Sequence, residues 1–403
     1  MQEIALPASK SLSNRALILK ALCSTPCNLA HLSKCDDTRV MMNAFAHPDC
    51  DTIDIGAAGT SMRFLTAYLA TQENRETIIT GSERMRHRPI GTLVNALRHL
   101  GADISYIEKE GYPPLRICGK HLQGGDLPIE GSISSQYISA LLMIAPTLEN
   151  GLNLKLCGDI ISTPYIRMTL GLMKHWGVDS EWLGDCIRIK HQIYEGCDYA
   201  IESDWSAASY WYEIMAITDL PSIKLLGLKQ ESWQGDSYIA KYFEVLGIKT
   251  HYESDGVLLT RKGELPTNVN WDLSSQPDLA QTLITTCCAL GITFDICGLQ
   301  TLRIKETDRI AALKTELKKL GYVLSDYDDC RMIWEGRRCP KEEHPIIATY
   351  EDHRMAMAFA PLSATQENRS LHIENPLVVS KSYPTFWKDL DQIGFSIEHN
   401  TSE

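Results

Sequence analysis

The sequence predicts an α/β protein made of six repeated βαβαββ-type units, the first of them shortened, and two interleaved series of residues carry that prediction. In one series, helix-like stretches end in an apolar-glycine-apolar triplet: Leu100-Gly101-Ala102, Trp176-Gly177-Val178, Leu246-Gly247-Ile248, Leu320-Gly321-Tyr322 and Ile393-Gly394-Phe395. Successive glycines there lie 76, 70, 74 and 73 residues apart. Glycine tolerates the left-handed conformation that ends a helix, and the apolar residues after it begin a strand. In the other series, a polar or small residue opens a helical run, at Ser11, Thr60, Ser135, Ser206, Asp278 and Asp352, with spacings of 49, 75, 71, 72 and 74. Such a period is too long for a solenoid of small repeats.

Taken in order, the first unit opens its helix at Ser11-Leu12-Ser13-Asn14-Arg15. Its second helix starts at Cys35-Asp36-Asp37-Thr38-Arg39, and the stretch Lys34 to Gly56 has lost most of the strands that should follow. The second unit begins at Thr60-Ser61-Met62-Arg63 and places Arg84, Arg86 and Arg88 before the run Ile90, Leu93, Val94, Leu97. The third carries Ser134, Ser135 and Gln136, then Ser162 and Tyr165; the fourth has Asp204 ahead of its helix. In the fifth, Asp278 precedes one helix, and Arg303-Ile304-Lys305-Glu306-Thr307-Asp308-Arg309 opens the run Ile310, Leu313, Leu317, Leu320. That stretch reads as the first turns of an amphipathic helix, with Lys305 and Arg309 on one face. The sixth unit has Asp352, His353 and Arg354, with Lys381 opening the final helix.

Composition narrows the class. A length of 403 residues suggests roughly two or three domains, and 44% hydrophobic with 22% charged residues describes a soluble globular chain. The longest apolar stretch, Ile138 to Pro146, is too short for a membrane span. The start Met1-Gln2-Glu3-Ile4-Ala5-Leu6-Pro7 lacks the regions of a signal peptide, so a cytoplasmic protein is expected. Thirteen scattered cysteines without paired ligand spacing point to reduced thiols rather than disulfides or a zinc site. A net charge of −12 argues against a nucleic-acid partner, so an anionic ligand must be drawn by a local basic cluster.

Serine, threonine and aspartate at helix starts are ordinary N-caps. Lysine and arginine there are opposed by the helix dipole. Their recurrence at Lys10, Arg15, Arg88, Lys305, Arg309, Arg354 and Lys381 therefore suggests helix N-termini gathered on a strongly anionic ligand bearing phosphate or carboxylate groups. Asp278 and Glu306 among these cations supply carboxylates able to move protons, whereas His353 reads as structural. Neither a Gly-x-x-x-x-Gly-Lys-Ser/Thr loop nor a Gly-x-Gly-x-x-Gly turn is present.

The motifs Leu6-Pro7-Ala8-Ser9-Lys10-Ser11-Leu12-Ser13-Asn14-Arg15, Gly59-Thr60-Ser61-Met62-Arg63, Arg88-Pro89-Ile90-Gly91, Gly131-Ser132-Ile133-Ser134-Ser135-Gln136, Lys305-Glu306-Thr307-Asp308-Arg309 and Asp352-His353-Arg354-Met355-Ala356-Met357 resemble, in order, those of the 5-enolpyruvylshikimate-3-phosphate synthase family. The resemblance implies a two-domain enolpyruvyl transferase fold, an inside-out α/β barrel with three units in each half. Residues 10–202 would form one half, and residues 1–9 with 203–403 the other. It implies transfer of the enolpyruvyl group of phosphoenolpyruvate to the 5-hydroxyl of shikimate 3-phosphate with release of phosphate, without metal or organic cofactor, by a monomer.

By the same resemblance, Lys10, Ser11, Arg15, Ser134, Ser135, Gln136, Ser162, Tyr165, Asp278 and Lys305 would hold shikimate 3-phosphate. Lys10, Gly59, Arg88, Gln136, Arg309, Arg354 and Lys381 would hold phosphoenolpyruvate. Asp278 and Glu306 would transfer protons, assisted by Lys10 and Lys381. Three residues depart from the family pattern: Ala57 replaces an asparagine, Thr301 replaces another, and Arg167 stands where an acidic residue is common. The sister transferase acting on UDP-N-acetylglucosamine uses a loop cysteine, and the segment Gly81 to Gly91 has none. A non-catalytic ligand-binding relative is the other alternative, and it would be expected to lose some of the carboxylates and cations kept here.

Overall fold

The computed structural model describes residues 2–131, 134–365, 368 and 370–398. Ser132 and Ile133, inside one of the motifs above, lie outside the described residues. Ala8–Ile201 forms one compact unit, and Met1–Pro7 together with Glu202–Glu403 forms the other, so the chain passes between them twice.

In the unit Ala8–Ile201, one four-stranded sheet runs Thr52–Asp54, Glu76–Thr80, Leu115–Cys118, Asp103–Tyr106, and a second runs Gly125–Glu130, Leu152–Cys157, Cys186–Ile189, Glu181–Leu183. In each sheet the first pair is parallel and the remaining pairs are antiparallel. Because a helix joins the parallel strands and another leads into the hairpin, each sheet is one βαβαββ unit. The short strands Leu29–Ala30 and Tyr199–Ala200 pair in parallel and complete this unit.

The other unit repeats the pattern. Gln2–Ala5, Ser222–Leu226, Gly256–Arg261 and Ile248–Glu253 form one sheet; Asn268–Asp272, Thr293–Cys297, Arg331–Trp334 and Ser325–Tyr327 form the next. Among the described residues the last sheet is Ile346–Ile347 beside His372–Ile373. Shortening thus affects two units, not the first alone as the sequence suggested: Gly394 ends a helix as expected, but no strand follows it among the described residues.

Strands such as Leu152–Cys157 bury alternate residues and leave the others to solvent. Helices carry the interior. Every residue of Gly59–Ala70 is buried, and Trp205–Ile217 buries nearly all of its length. These helices are buried on nearly all sides because other helices and the sheets enclose them, which is the inside-out arrangement. Helices Lys10–Leu22, Gly59–Ala70 and Ser135–Ile144 pack together in one unit; in the other, Ala280–Leu290 packs between Trp205–Ile217 and His353–Phe359. The five periodic glycines have φ of 103°, 80°, 79°, 89° and 93°, which side-chain-bearing residues rarely adopt.

Helix starts follow local chemistry. Ser9, Asp204 and Asp308 accept from Leu12 N, Ala207 N and Ala311 N at 3.4, 2.9 and 3.0 Å. The Asp308 cap corrects the sequence reading: the helix is Arg309–Lys319, preceded by a 3₁₀ turn Gln300–Ile304, so Lys305 and Glu306 stand on the connecting loop and not on the helix face. Lys381 likewise ends a 3₁₀ turn, Pro376–Lys381, and the last helix is Phe386–Gln392. Asp278 sits in a 3₁₀ turn, Pro277–Leu279, ahead of Ala280–Leu290.

Candidate active site

Two polar arrays stand at these helix starts, one in each unit. In the unit Ala8–Ile201, Arg15 is 2% exposed. Its Nε donates to Thr169 Oγ1 at 2.7 Å, Nη2 to Ser139 Oγ at 3.0 Å and Nη1 to the Ser11 carbonyl at 2.9 Å. Its guanidinium carbon lies 5.2 Å from the Phe64 ring centroid and 6.0 Å from that of Tyr165. No carboxylate pairs with Arg15 among the described residues, and burial lowers its pKa to about 10 despite the Tyr165 oxygen, which pulls the other way. A buried cation held by neutral acceptors alone is poised for an incoming anion.

Ser162, which heads the helix carrying Tyr165 and Thr169, is buried in a left-handed conformation with φ 55°. Ser134 caps Ser135–Ile144 by accepting from Gln136 N at 3.4 Å, and Gln136 Nε2 donates to Thr60 Oγ1 at 3.3 Å. Gly59 opens its helix between two arginines: a Cβ there would lie 2.7 Å from both Arg63 Nη1 and Arg88 Nη1. Arg63 donates to the Gly59 carbonyl at 2.6 Å, and its Nε is buried without a partner among the described residues. Glycine thus leaves room for two guanidinium groups against a helix N-terminus, a strongly anion-attracting cradle. Lys10, first residue of its helix, reaches Asp37 at 3.7 Å.

In the other unit, Arg309 is the hub. It is 1% exposed and donates to Asp278 Oδ1 at 2.9 Å, Glu306 Oε2 at 2.9 Å and Asp352 Oδ2 at 2.7 Å. Arg354 donates to Asp278 Oδ2 at 3.2 Å and to the Asp278 carbonyl at 3.3 Å. Lys305 lies 3.5 Å from Asp278, and Lys381 lies 3.8 Å from Glu306. Burial works to raise the Asp278 pKa, but Arg354, Lys305 and Arg309 together hold it well below the usual carboxylate range. Asp278 is therefore ionised at neutral pH and able to accept a hydrogen bond or a proton.

The sequence reading named Arg15, Gly59, Arg88, Asp278, Lys305, Glu306, Arg309, Arg354 and Lys381, and the structure groups them within their own units as described. It did not assign Arg63 a ligand role, nor Asp352 that of partner to Arg309; the Gly59 spacing and the helix-cap position were the only signals for these. Among the departures, Arg167 is exposed and stacks 4.8 Å from the Trp182 ring centroid, Ala57 is exposed, and the Thr301 hydroxyl is buried without a hydrogen-bond partner among the described residues. No helix among the described residues is long and apolar enough to cross a membrane.

Comparisons with known proteins bear on the family and the fold. The family model for EPSP synthase (3-phosphoshikimate 1-carboxyvinyltransferase) matches residues 1–47 and 42–390, the two matches meeting inside the shortened first unit. A 3-phosphoshikimate 1-carboxyvinyltransferase of Bacteroides fragilis (strain YCH46) is 52% identical over 396 residues, covering 98% of this chain and 96% of its own. One from Vibrio campbellii is 36% identical over 416 residues, with 96% of each chain covered. Among solved structures, EPSP synthase from Acinetobacter baumannii superposes with a TM-score of 0.78 at 20% identity, over 98% of this chain and 96% of that one. The enolpyruvyl transferase NikO from Streptomyces tendae gives 0.72 at 13%, over 100% and 97%. At those identities the two structures show the fold alone.

Proposed function

The chain belongs to the EPSP synthase family, and it transfers the enolpyruvyl group of phosphoenolpyruvate to shikimate 3-phosphate; from that premise we propose how its two arrays divide the work. Arg15, whose buried charge lacks a carboxylate partner among the described residues, holds shikimate 3-phosphate, a role shared by Lys10, Ser11, Ser134, Ser135, Gln136, Ser162, Tyr165, Asp278 and Lys305. Phosphoenolpyruvate is held by Lys10, Gly59, Arg88 and Gln136 together with Arg309, Arg354 and Lys381. Arg63, which shares the Gly59 cradle, adds its charge to the same anion.

The transfer needs the 5-hydroxyl to lose a proton as it attacks C2 of phosphoenolpyruvate, while C3 gains one. The tetrahedral adduct then loses phosphate and returns the C3 proton. Asp278, kept ionised by three cations, receives the hydroxyl proton. Glu306, bound to Arg309 and close to Lys381, moves the C3 proton, with Lys381 and Lys10 assisting. General acid and base groups of this kind contribute about 10²- to 10⁴-fold. The arginines neutralise the carboxylate and the departing phosphate, and they do so in fixed positions, so little reorganisation is needed at the moment of reaction.

The observation that carries this reading is Asp278, a carboxylate held ionised among Arg354, Lys305 and Arg309. We further propose that the protein is cytoplasmic, acts as a monomer and needs no cofactor. Phosphate release from phosphoenolpyruvate that depends on added shikimate 3-phosphate, and persists after exhaustive chelation, is the expected result. Release independent of shikimate 3-phosphate would overturn the reading.

A further inference from the structure

Asp236 has no part in the roles above, yet it is 3% exposed and charged groups of the site surround it. It lies in the 3₁₀ turn Gly235–Tyr238, where its Oδ2 accepts from the Ser206 hydroxyl. Its Oδ1 is buried with no hydrogen-bond partner among the described residues. A buried acceptor left without a donor is costly, and a buried carboxyl meets that cost either by keeping its proton or, when ionised, by standing near positive charge. Arg354 is a cation that acts on Asp236, and Asp278 and Asp204 act on it with the opposite sign. Gln234, just before the turn, ties it to the start of the helix Trp205–Ile217: Gln234 Oε1 accepts from Trp205 N at 3.1 Å, and Gln234 Nε2 donates to the Ser203 carbonyl at 2.8 Å.

Arg354 therefore stands between two carboxylates of different kinds. Asp278 bonds it directly through its side chain and carbonyl and is the group assigned to the substrate hydroxyl. When Asp278 turns to that hydroxyl, its hold on Arg354 must loosen, at the moment Arg354 has to stay in place for the other substrate. We propose that Asp236 is a positioning residue for Arg354, a fixed negative charge that keeps the guanidinium in place while Asp278 and phosphoenolpyruvate share its donors. This rests on Arg354 being a phosphoenolpyruvate ligand. Only the ionised form of Asp236 can act this way. Burial pushes its carboxyl up to about 6, with the Arg354 charge pulling it down, Asp278 and Asp204 pushing it up and the Ser206 hydrogen bond pulling it down. The help given to Arg354 should fade as pH falls through that value.

Steady-state kinetics of Asp236→Asn, Ser206→Ala and Arg354→Gln test this. Well above pH 6, Asp236→Asn should raise KM for phosphoenolpyruvate about tenfold and leave KM for shikimate 3-phosphate within about twofold. The ratio of wild-type to variant kcat/KM for phosphoenolpyruvate cancels the ionisation of the substrate itself, and it should fall toward one as pH drops through about 6. Ser206→Ala removes a hydrogen bond at a half-buried position, keeps the carboxylate, and should move the midpoint of that pH limb upward; it carries the test if Asp236→Asn does not fold. A pH-independent ratio, equal losses for both substrates, or an unmoved midpoint in Ser206→Ala would overturn the proposal. Arg354→Gln separates the two layers. If it leaves KM for phosphoenolpyruvate unchanged, the ligand role of Arg354 fails; if it raises that KM while Asp236→Asn behaves as wild type, only the positioning role fails.

Discussion

Arg309 and Asp352 meet through two hydrogen bonds, Nε to Oδ2 at 2.7 Å and Nη2 to Oδ1 at 3.3 Å, with both side chains sealed from solvent. Asp352 also accepts from Arg354 N at 2.9 Å and so caps the helix His353–Phe359. One carboxylate therefore orients two arginines, the first by its side chain and the second by its backbone. Breaking a buried ion pair by removing one partner costs roughly 3–5 kcal/mol. Since Asp278 and Glu306 still contact Arg309, Asp352→Ala should lower the unfolding free energy by about 3 kcal/mol, at the low end of that range. Denaturant titration checks it, and a loss under about 1 kcal/mol would show that the other two carboxylates suffice.

Arg15 is the opposite case, a buried cation that the folded chain leaves without a carboxylate among the described residues. Arg15→Met keeps much of the packing against Phe64 and removes an uncompensated charge, so the free protein should be as stable as wild type or more so. Binding should move the other way. A desolvated charge pair lost on one side costs roughly 2–5 kcal/mol, so affinity for shikimate 3-phosphate should fall by about a hundredfold. Calorimetry showing unchanged affinity would remove Arg15 from the phosphate site.

Gly59→Ala tests the arginine cradle. The new Cβ would stand 2.7 Å from Arg63 Nη1 and Arg88 Nη1, and these are the far ends of long side chains that can shift. The fold should therefore tolerate the change, with a stability effect within about 0.5 kcal/mol. The displaced guanidinium groups should raise KM for phosphoenolpyruvate by about tenfold, and KM for shikimate 3-phosphate should hardly move. Equal changes in both would mean that Gly59 serves the helix and not the ligand.

Glu306→Gln should fold normally and lose turnover by about 10²- to 10⁴-fold. It keeps an oxygen to accept from Arg309 Nη2 but cannot carry a proton. Near-normal kcat would leave Glu306 as no more than a partner of Arg309.

What was legible in the sequence was local. Gly101, Gly177, Gly247, Gly321 and Gly394 announced helix ends because a left-handed residue is needed there, and Asp204 and Asp352 announced helix starts because a cap acts within three residues. The loop at Lys305 and Glu306 was misplaced because their charges alternate in a helix-compatible way; only the Asp308 cap, read then as helix interior, marks where the helix begins. The side-chain acceptors of Arg15 lie 124 and 154 residues away, and Asp352 lies 43 from Arg309, distances no local pattern reports. Asp236 gave no signal at all, since its meaning comes from being buried beside Arg354.

Glu213 gives a pH prediction with a definite sign. It is 0% exposed on the helix Trp205–Ile217, its Oε1 accepts from Thr285 Oγ1 at 2.7 Å, and its Oε2 has no partner among the described residues. Burial pushes its pKa well above the ordinary 4.5, and the Thr285 hydrogen bond offsets only part of this, so the native state keeps its proton to a higher pH than the unfolded chain does. The unfolded chain ionises it near the ordinary value. Between those two values the native state binds more protons than the unfolded state, so the Glu213 contribution is present in full below the unfolded pKa and is lost as pH rises toward the folded one. Glu213→Gln has no proton to lose. The variant carries its own cost at every pH, because the amide nitrogen inherits a site without an acceptor. That cost is constant, so the difference in unfolding free energy, variant minus wild type, should rise as pH climbs from the ordinary carboxyl value toward the raised native one, by up to about 1.4 kcal/mol per pH unit. Charges elsewhere titrate alike in both proteins and cancel. Urea unfolding at several pH values measures that slope, and a difference that stays flat would show that Glu213 is ionised in the core.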